Sequence, residues 1–366
     1  MLFVSMNYRV AAFGFLPGVE AQTEKIDAHV ILIERLALEW IQAYIHEFGG
    51  DPTKVTIFGE SAGAIAAVAH MTTNGGNNEG LFRGAFLQSG SLVPMGDMQG
   101  AQLYYDALVI AVGCDGASDT LECLRGVPYE KLKAAMDEAP SFFGYSSVAL
   151  SWGPRTDGDF LRDSPRQLAF EGSISRIPVV IGSCEDEGTL FTLSSLNITT
   201  TEDLRVYLST IIFPAASLSD VDNLLHMYPE DPALGAPFHT GILNSPTPHF
   251  KRLAAILVYK RRKNTAVLGT AHVTDAIDMF GPSEITDHLI HFVTYLDPNG
   301  LTATQVPQHQ AALHSANAVN WPKYDPHSKL MLAYVDGPSR ASVVRNTDRE
   351  EQVTYMSTWS SKFWLR

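Results

Sequence analysis

The sequence of 366 residues predicts an α/β fold in which helices cover both faces of a mostly parallel central sheet. Two observations support this prediction. Short apolar runs alternate along the chain with segments of helical spacing. The runs are continuously apolar, as expected of parallel strands that are buried on both faces. No internal repeat, low-complexity tract or linker interrupts the pattern, so residues 1–366 are predicted to form a single domain.

The predicted strands are short and bounded by polar or glycine-containing turns. They cover Phe3–Met6, Lys54–Phe58, Ala85–Gln88, Pro178–Gly182 and Lys329–Val335. The predicted helices cover Ile31–Phe48, Ala62–Met71 and Ile285–Leu296. In the first of these helices the helical period places Leu36, Trp40, Ile41 and Ile45 on one apolar face. The segment Asp97–Arg176 is predicted to be mainly helical and to form an insertion over the sheet.

Composition excludes several classes of protein. Hydrophobic residues make up 45% of the chain and charged residues 18%, which rules out a disordered or fibrous protein. The formal net charge of −14 argues against a nucleic-acid partner. No apolar run approaches 18 residues, so no transmembrane helix is predicted. Met1–Met6 contains neither a basic region nor a long apolar stretch, so it is not expected to be a signal peptide. It resembles a strand instead, which indicates that upstream sequence is missing.

One segment has the pattern of a catalytic nucleophile. A β-branched run leads into Gly59-Glu60-Ser61-Ala62-Gly63, and an alanine-rich helical segment follows at once. A strand, a G-x-S-x-G turn and a helix in this order form a nucleophile elbow, which exposes the serine hydroxyl. We expect Gly59 and Gly63 to be required because a Cβ at either position would collide with the neighbouring strand or helix. The Ala62 N–H, at the helix N-terminus, is the candidate oxyanion donor. The alternative is a loop serine that matches the motif by chance.

Candidate acids and bases follow Ser61 in the chain. Glu185, Asp186 and Glu187 come directly after a predicted strand, and their position alone does not choose among them. His272 follows an apolar run and a glycine, which places it on a loop where a general base could reach Ser61. His288 and His291 are three residues apart on a helix, but no third ligand accompanies them, so no metal site is predicted.

Two features bear on the cellular compartment. Cys114 and Cys123 bracket a short polar step, and a disulfide or two reduced thiols fit that spacing about equally well. Asn197-Ile198-Thr199 is a glycosylation sequon, a triplet that also arises by chance.

Several motifs resemble the type-B carboxylesterase/lipase family, which includes the cholinesterases. They are Val4–Arg9, Phe48–Gly63 and Leu81–Gly90. Three further stretches are similar to the secreted fungal lipases of that family, namely Cys114…Cys123–Gly126, Ser194–Thr200 and Pro237–Asn244. The resemblance implies an α/β-hydrolase fold with a helical insertion over the active site. It also implies a serine ester hydrolase without cofactor that acts on small-molecule or lipid esters through an acyl-enzyme.

The resemblance also assigns roles to particular residues. The family's Asp-Glu-Gly motif selects Glu187 as the acid that orients the base. Its Gly-x-x-His-x-x-Asp pattern matches Gly269, His272 and Asp275 and selects His272 as the base. It further implies a Cys114–Cys123 disulfide and an extracellular location.

The sequence departs from the family pattern in three places. The Gly-rich oxyanion loop that precedes the nucleophile has no counterpart, because Gly49-Gly50 closes a predicted helix. The interval from Glu187 to His272 is 85 residues, about one strand shorter than expected, and Lys251–Lys263 runs almost directly into the histidine loop. Asp27–Glu34 replaces another family loop. A truncated or mis-spliced gene model that lacks N-terminal strands would account for all three.

These departures weaken the expected activity. Loss of one oxyanion donor costs on the order of 10²–10³ in rate. A displacement of His272 by about 1 Å through the shortened interval would cost about 10² more. We therefore expect the 366-residue chain to hydrolyse simple esters slowly or not at all. The competing hypothesis is a non-catalytic or inactive member of the family, with a binding role or none.

Overall fold

The structure of the protein is a computed structural model. It describes residues 1–26, 29–93, 95–257, 270–280, 283–299, 319–334, 341–347 and 349–363. The strands are β1 (Thr56–Glu60), β2 (Gly84–Gln88), β3 (Val179–Gly182), β4 (Leu330–Tyr334) and β5 (Ala341–Arg345).

The described α-helices lie before, between and after these strands and vary from about one turn to four. They are α1 (Ala12–Phe15), α2 (Val19–Thr23), α3 (His29–Tyr44), α4 (Ala62–Thr72), α5 (Gln102–Ala111), α6 (Thr120–Gly126), α7 (Tyr129–Asp137), α8 (Pro165–Phe170), α9 (Gly188–Thr192), α10 (Thr201–Tyr207), α11 (Leu218–Met227), α12 (Phe250–Leu257), α13 (Ala276–Met279), α14 (Glu284–Tyr295) and α15 (Glu350–Lys362). None of the described helices is long and apolar enough to cross a bilayer.

The central sheet is parallel and has helices on both faces. Strands β1, β2 and β3 lie side by side in that order. On one face, Ala85 and Leu87 of β2 pack with α3 and α4. On the other face, the intervening Phe86 packs with Leu289 and Phe292 of α14. The strand β2 is therefore buried on both sides, which explains its unbroken apolar sequence. The predicted α/β class is confirmed.

Helix α3 buries a different stripe from the one predicted. Leu38, Ile41 and Ile45 lie in the core, but Leu36 and Trp40 are exposed. All five side chains are apolar, so the sequence offers two overlapping stripes at helical spacing. Packing against the small residues of α4 selects the one that contains Leu38. The prediction was correct for Ile41 and Ile45 and wrong for the other two.

The predicted strand Phe3–Met6 is also wrong. Residues 1–10 form neither helix nor strand, and all ten are exposed. The Phe3 ring touches the Phe280 ring, with their centroids 5.6 Å apart. Apolar composition predicted burial, but a strand is buried only where neighbouring elements cover it. No described strand pairs with the free edge of β1, and this segment lies at the surface.

The segment between β2 and β3 contains the helices α5 to α8, but these cover fewer than half of residues Asp97–Arg176, so the prediction of a mainly helical segment is wrong. Part of this segment contacts the region after β3, because the Ser147 hydroxyl donates to the Phe191 carbonyl of α9. Beyond β3, a cavity of about 1410 Å³ is lined by Val179–Ser183 and by Leu330–Tyr334 of β4. The predicted loss of a central strand concerns residues 251–263, of which 258–263 lie outside the described residues. That prediction stays open.

Cys114 and Cys123 form a disulfide, and Cys184 is a buried free cysteine. The bridge joins the loop after α5 to α6. Cys114 and several apolar residues of α5, α6 and α7 pack in one cluster. The disulfide implied by the family resemblance is therefore present.

We predict one free thiol per chain when thiols are counted in denaturant without reductant. Replacing both bridged residues, in a Cys114→Ser/Cys123→Ser variant, should lower the free energy of unfolding by about 2–4 kcal/mol, because the bridge limits the unfolded chain. Urea unfolding measures this loss. Three free thiols in protein from an oxidising compartment would contradict the prediction.

Candidate active site

Ser61 lies in a strained turn between β1 and α4. Its backbone has φ 54° and ψ −118°, a positive-φ conformation that is rare outside glycine. The turn is held from both sides. The Ser61 N–H donates to the Gln88 carbonyl at the end of β2, and the Ser61 carbonyl accepts from Ala64 and Ile65 in the first turns of α4. The hydroxyl is thereby presented at the carboxyl edge of the sheet.

Close backbone contacts surround this turn. A Cβ on Gly59 would lie 2.2 Å from the Gly63 carbonyl carbon, so only glycine fits there. A Cβ on Gly63 would meet no heavy atom within 4 Å, so the predicted need for glycine at Gly63 is wrong. The contact is one-sided in this sense: a side chain on Gly59 would clash with the α4 backbone, whereas a side chain on Gly63 would not clash with β1. The sequence reasoning missed Gly90, whose Cβ would lie 2.5 Å from the Ser61 carbonyl oxygen.

Glu187 lies where α9 begins, beyond the end of β3. The next residue, Gly188, allows the start of α9 to lie close to α12, because a Cβ at this position would lie 2.0 Å from the Ala254 carbonyl oxygen. The Asp-Glu-Gly motif thus combines a carboxylate with the glycine that lets α9 pack against α12. The Glu187 side chain is buried, and its Oε1 accepts the Cys184 N–H at 2.7 Å.

His272 connects Glu187 to Ser61. Its Nδ1 lies 2.5 Å from Glu187 Oε2, and its Nε2 lies 2.7 Å from Ser61 Oγ. A neutral imidazole that donates its Nδ1–H to the carboxylate leaves Nε2 able to accept the hydroxyl proton. The structure therefore brings together the three residues named from the sequence as nucleophile, acid and base. The shortened interval between Glu187 and His272 does not displace the imidazole.

Electrostatics favour a basic imidazole. Burial disfavours the His272 cation, but the hydrogen bond to Glu187 and its charge outweigh burial, and the pKa of His272 is raised above its ordinary value. Glu60 contributes to this shift, because its Oε1 lies 3.6 Å from His272 Nε2. Burial in turn raises the pKa of Glu60. Glu60 was not predicted from the sequence, although it lies directly before Ser61.

Further residues enclose the imidazole. The Phe191 ring lies 5.0 Å from the His272 ring, measured between centroids, and the Phe142 ring lies 4.7 Å from that of Phe191. Asp275 is also close, and its Oδ2 accepts from Gln88 Nε2 at 2.9 Å. Burial raises the pKa of Asp275. The His272 imidazole therefore lies among aromatic rings and carboxyl groups.

The other predicted site features are distributed as follows. The Ala62 N–H lies in the first turn of α4, next to Ser61. The pair Gly49-Gly50 ends a 3₁₀ helix over Ile45–Phe48, with Gly49 in the left-handed conformation. Asn197 is exposed. The described residues contain no group of three or more metal-ligating side chains.

Comparison with known proteins places this geometry in a family. A sequence model described as the carboxylesterase family matches residues 1–223. The chain belongs to the carboxylesterase family. The match contains Ser61 and Glu187 and ends before His272.

Curated relatives extend the likeness over nearly the whole chain. Secreted lipase 1 of Botryotinia fuckeliana is 40% identical over 91% of this chain and 63% of its own length. A secreted triacylglycerol lipase of Gibberella zeae is 36% identical over 97% of this chain and 65% of its own length. Lipase 4 of Diutina rugosa is 38% identical over 90% and 64%. The chain thus spans less than two thirds of the length of these family members.

Solved structures share the fold. The crystal structure of Aspergillus niger EstA superposes with a TM-score of 0.76, at 24% identity, over 96% of this chain and 73% of that one. A structure named PNB esterase gives a TM-score of 0.68 at 23% identity, over 95% and 73%. At these identities the likeness shows the α/β-hydrolase fold alone.

The two glycines of the elbow give a matched pair of variants. We predict that Gly59→Ala lowers the free energy of unfolding by about 1–3 kcal/mol or more, because the new methyl group meets rigid backbone. Gly63→Ala should leave stability unchanged or raise it by up to about 1 kcal/mol, because alanine favours the helix. Urea unfolding of both variants measures the difference. Equal losses in the two would contradict the one-sided contact.

Proposed function

We propose that this site hydrolyses carboxylic esters through a Ser61–His272–Glu187 triad. The observation that carries the proposal is the continuous chain of two hydrogen bonds from Glu187 through His272 to Ser61. It begins at a buried carboxylate and ends at a hydroxyl on a strained turn. Ordinary buried serines do not need such a turn, whereas a nucleophile needs it to leave its oxygen exposed.

In the proposed mechanism, Ser61 Oγ attacks the ester carbonyl carbon while His272 Nε2 takes the hydroxyl proton. Glu187 holds the imidazole in the required tautomer and stabilises its cation. The tetrahedral intermediate collapses, the alcohol leaves with the proton from His272, and an acyl-Ser61 remains. Water, deprotonated by His272, attacks the acyl carbon and releases the acid and free Ser61.

The oxyanion is proposed to form beside Ala62. Its N–H is directed by the first turn of α4, an eleven-residue helix whose positive N-terminal end favours a developing negative charge. Removing one such donor costs on the order of 10²–10³ in rate.

We propose lipid or small-molecule esters as substrates and an extracellular location. The relatives named as lipases support lipid esters. Phe191 and Phe142 support an apolar acyl group, because they lead from the imidazole towards the exposed Phe143. The disulfide, the exposed Asn197 in its sequon and two relatives named as secreted support the location. We propose Asn197 as a glycosylation site.

One observation favours the second candidate, a chain that carries the triad without effective turnover. The glycine pair before Ser61 caps a 3₁₀ helix, so it does not supply the Gly-rich oxyanion loop of the family. Among the described residues, Ala62 is the donor that we propose. With weak stabilisation of the oxyanion, both the acylation of Ser61 and its deacylation would be slow, although a highly reactive phosphorus reagent would still label the serine.

Labelling with a fluorophosphonate tests the nucleophile. We predict that Ser61 alone reacts: a bond forms between Oγ and phosphorus, fluoride leaves, and His272 takes the proton. Ser61→Ala should abolish labelling without changing the fold, and Ser91→Ala should retain it. Peptide mass spectrometry locates the adduct. Labelling of Ser89 or Ser91 in place of Ser61 would refute the proposal.

The same protein separates the two candidate functions. Hydrolysis of p-nitrophenyl butyrate that depends on Ser61 supports an ester hydrolase. Labelling of Ser61 without measurable hydrolysis supports the chain without effective turnover.

The dependence of labelling on pH tests Glu60. His272 must be neutral to accept the proton, so the labelling rate should rise as pH increases through its raised pKa. Glu60→Gln removes a negative charge 3.6 Å from Nε2, which lowers the pKa of His272, so this rise should move to lower pH. Glu47→Gln, at an exposed position, should leave the profile in place. A shift to higher pH in Glu60→Gln would contradict the assigned role.

A further inference from the structure

The buried carboxylate next to Glu187 makes bonds that the mechanism above does not use. Asp186 is 3% exposed. Its Oδ2 accepts the Thr270 N–H at 2.7 Å, and its Oδ1 accepts the Phe238 N–H at 2.8 Å. Its own N–H donates to the Thr270 carbonyl at 3.0 Å. Asp186 and Thr270 are therefore joined by a reciprocal pair of hydrogen bonds.

This pair crosses the interval between the acid and the base. Asp186 is one residue before Glu187, and Thr270 is two residues before His272. Asp186 and Thr270 are 84 positions apart in the sequence, and the chain between them includes several helices. The bonds that fix the Asp186 backbone against the Thr270 backbone therefore also limit the distance between the Glu187 carboxylate and the His272 imidazole. At the other end of the histidine loop, Gln88 Nε2 donates to Asp275 Oδ2.

The charge state of Asp186 suits this task. Two backbone N–H groups point at its two oxygens, and a carboxylate accepts both. An asparagine would turn its amide N–H₂ towards one of them, leaving two donors face to face in a buried space. Asp186→Asn therefore tests the role of the carboxylate, because it removes an acceptor without changing the size or shape of the side chain.

From these contacts we propose that Asp186 is a positioning residue: it holds the backbone of the His272 loop so that the imidazole spans Glu187 and Ser61. The proposal rests on the proposed function, because it assigns the residue a role at the same triad. The two consecutive carboxylates, Asp186 and Glu187, then have different roles. Glu187 orients the His272 ring, and Asp186 orients the chain that carries it.

The test compares Asp186→Asn with Asp203→Asn in the 366-residue chain. Asp203 is a matched control, because its Oδ2 also accepts two backbone N–H groups, from Thr199 and Thr200. It does so in the exposed capping box of α10, away from the triad. Three quantities are measured: thermal unfolding, the rate constant of Ser61 labelling by a fluorophosphonate, and the far-downfield proton resonance of His272 Nδ1–H.

We expect Asp186→Asn to slow labelling by about 10²-fold and to shift or abolish the His272 resonance, because small misplacements of a catalytic group have effects of that size. Asp203→Asn should destabilise the chain but label within about twofold of the unaltered protein. Asp186→Ser, whose hydroxyl can accept one of the two N–H bonds, should give an intermediate rate. If Asp186→Asn does not fold, the labelling rate of Asp186→Ser tests whether Asp186 positions the His272 loop.

The proposal is overturned if the folded Asp186 variants label within about threefold of the unaltered chain with an unchanged His272 resonance. It is also overturned if Asp203→Asn slows labelling as much as they do, since the effect would then follow general stability. Absence of labelling in the unaltered chain would count against the proposed function instead. In that case the His272 resonance alone still decides whether Asp186 positions the loop.

Discussion

The site depends on the close backbone contact between Gly59 and Gly63. A Cβ on Gly59 would lie 2.2 Å from the Gly63 carbonyl carbon. This contact allows β1 to run directly beneath the first turn of α4, and the residue between them is then forced into a positive-φ turn. Holding Ser61 in such a conformation costs about 1–3 kcal/mol, which the surrounding structure must offset. The bond from Ser61 N–H to Gln88 and the burial of β2 on both faces supply that support.

The parallel sheet explains why distant residues meet. Strands β1 and β3 end at the same edge of the sheet as β2, so Ser61 and Glu187 are delivered to one side of it although 126 residues apart. His272 comes from no described strand. Its position depends on side-chain and backbone bonds, to Asp186 at one end of its loop and to Gln88 at the other. His272 is therefore the member of the proposed triad with the least support from the described secondary structure.

Local patterns in the sequence were sufficient for the strands β1 to β3, for α4 and for the elbow at Ser61, because each has a period or motif confined to a few residues. Packing decided what such patterns leave open. Leu36 and Leu38 are equally apolar, yet only Leu38 is buried, since the choice depends on what α4 presents to α3. Phe3–Met6 has the composition of a buried strand, but none of the described strands pairs with it. Glu60 was missed because its role arises from a partner 212 residues later in the chain.

The run Glu185-Asp186-Glu187 shows how environment separates residues that the sequence makes equivalent. Glu185 Oε1 lies 3.2 Å from Nε2 of the more exposed His239. Asp186 turns to backbone donors, and burial raises its pKa despite the two N–H groups that favour its charge. Glu187 turns to an imidazole. No rule of composition or spacing distinguishes these three carboxylates, since the distinction depends on α12, the Phe238 loop and the His272 loop, which follow in the chain. The elements that pack around the three carboxylates therefore separate the proposed acid, Glu187, from its two neighbours, whereas in the sequence only the resemblance to the family's Asp-Glu-Gly motif distinguished it.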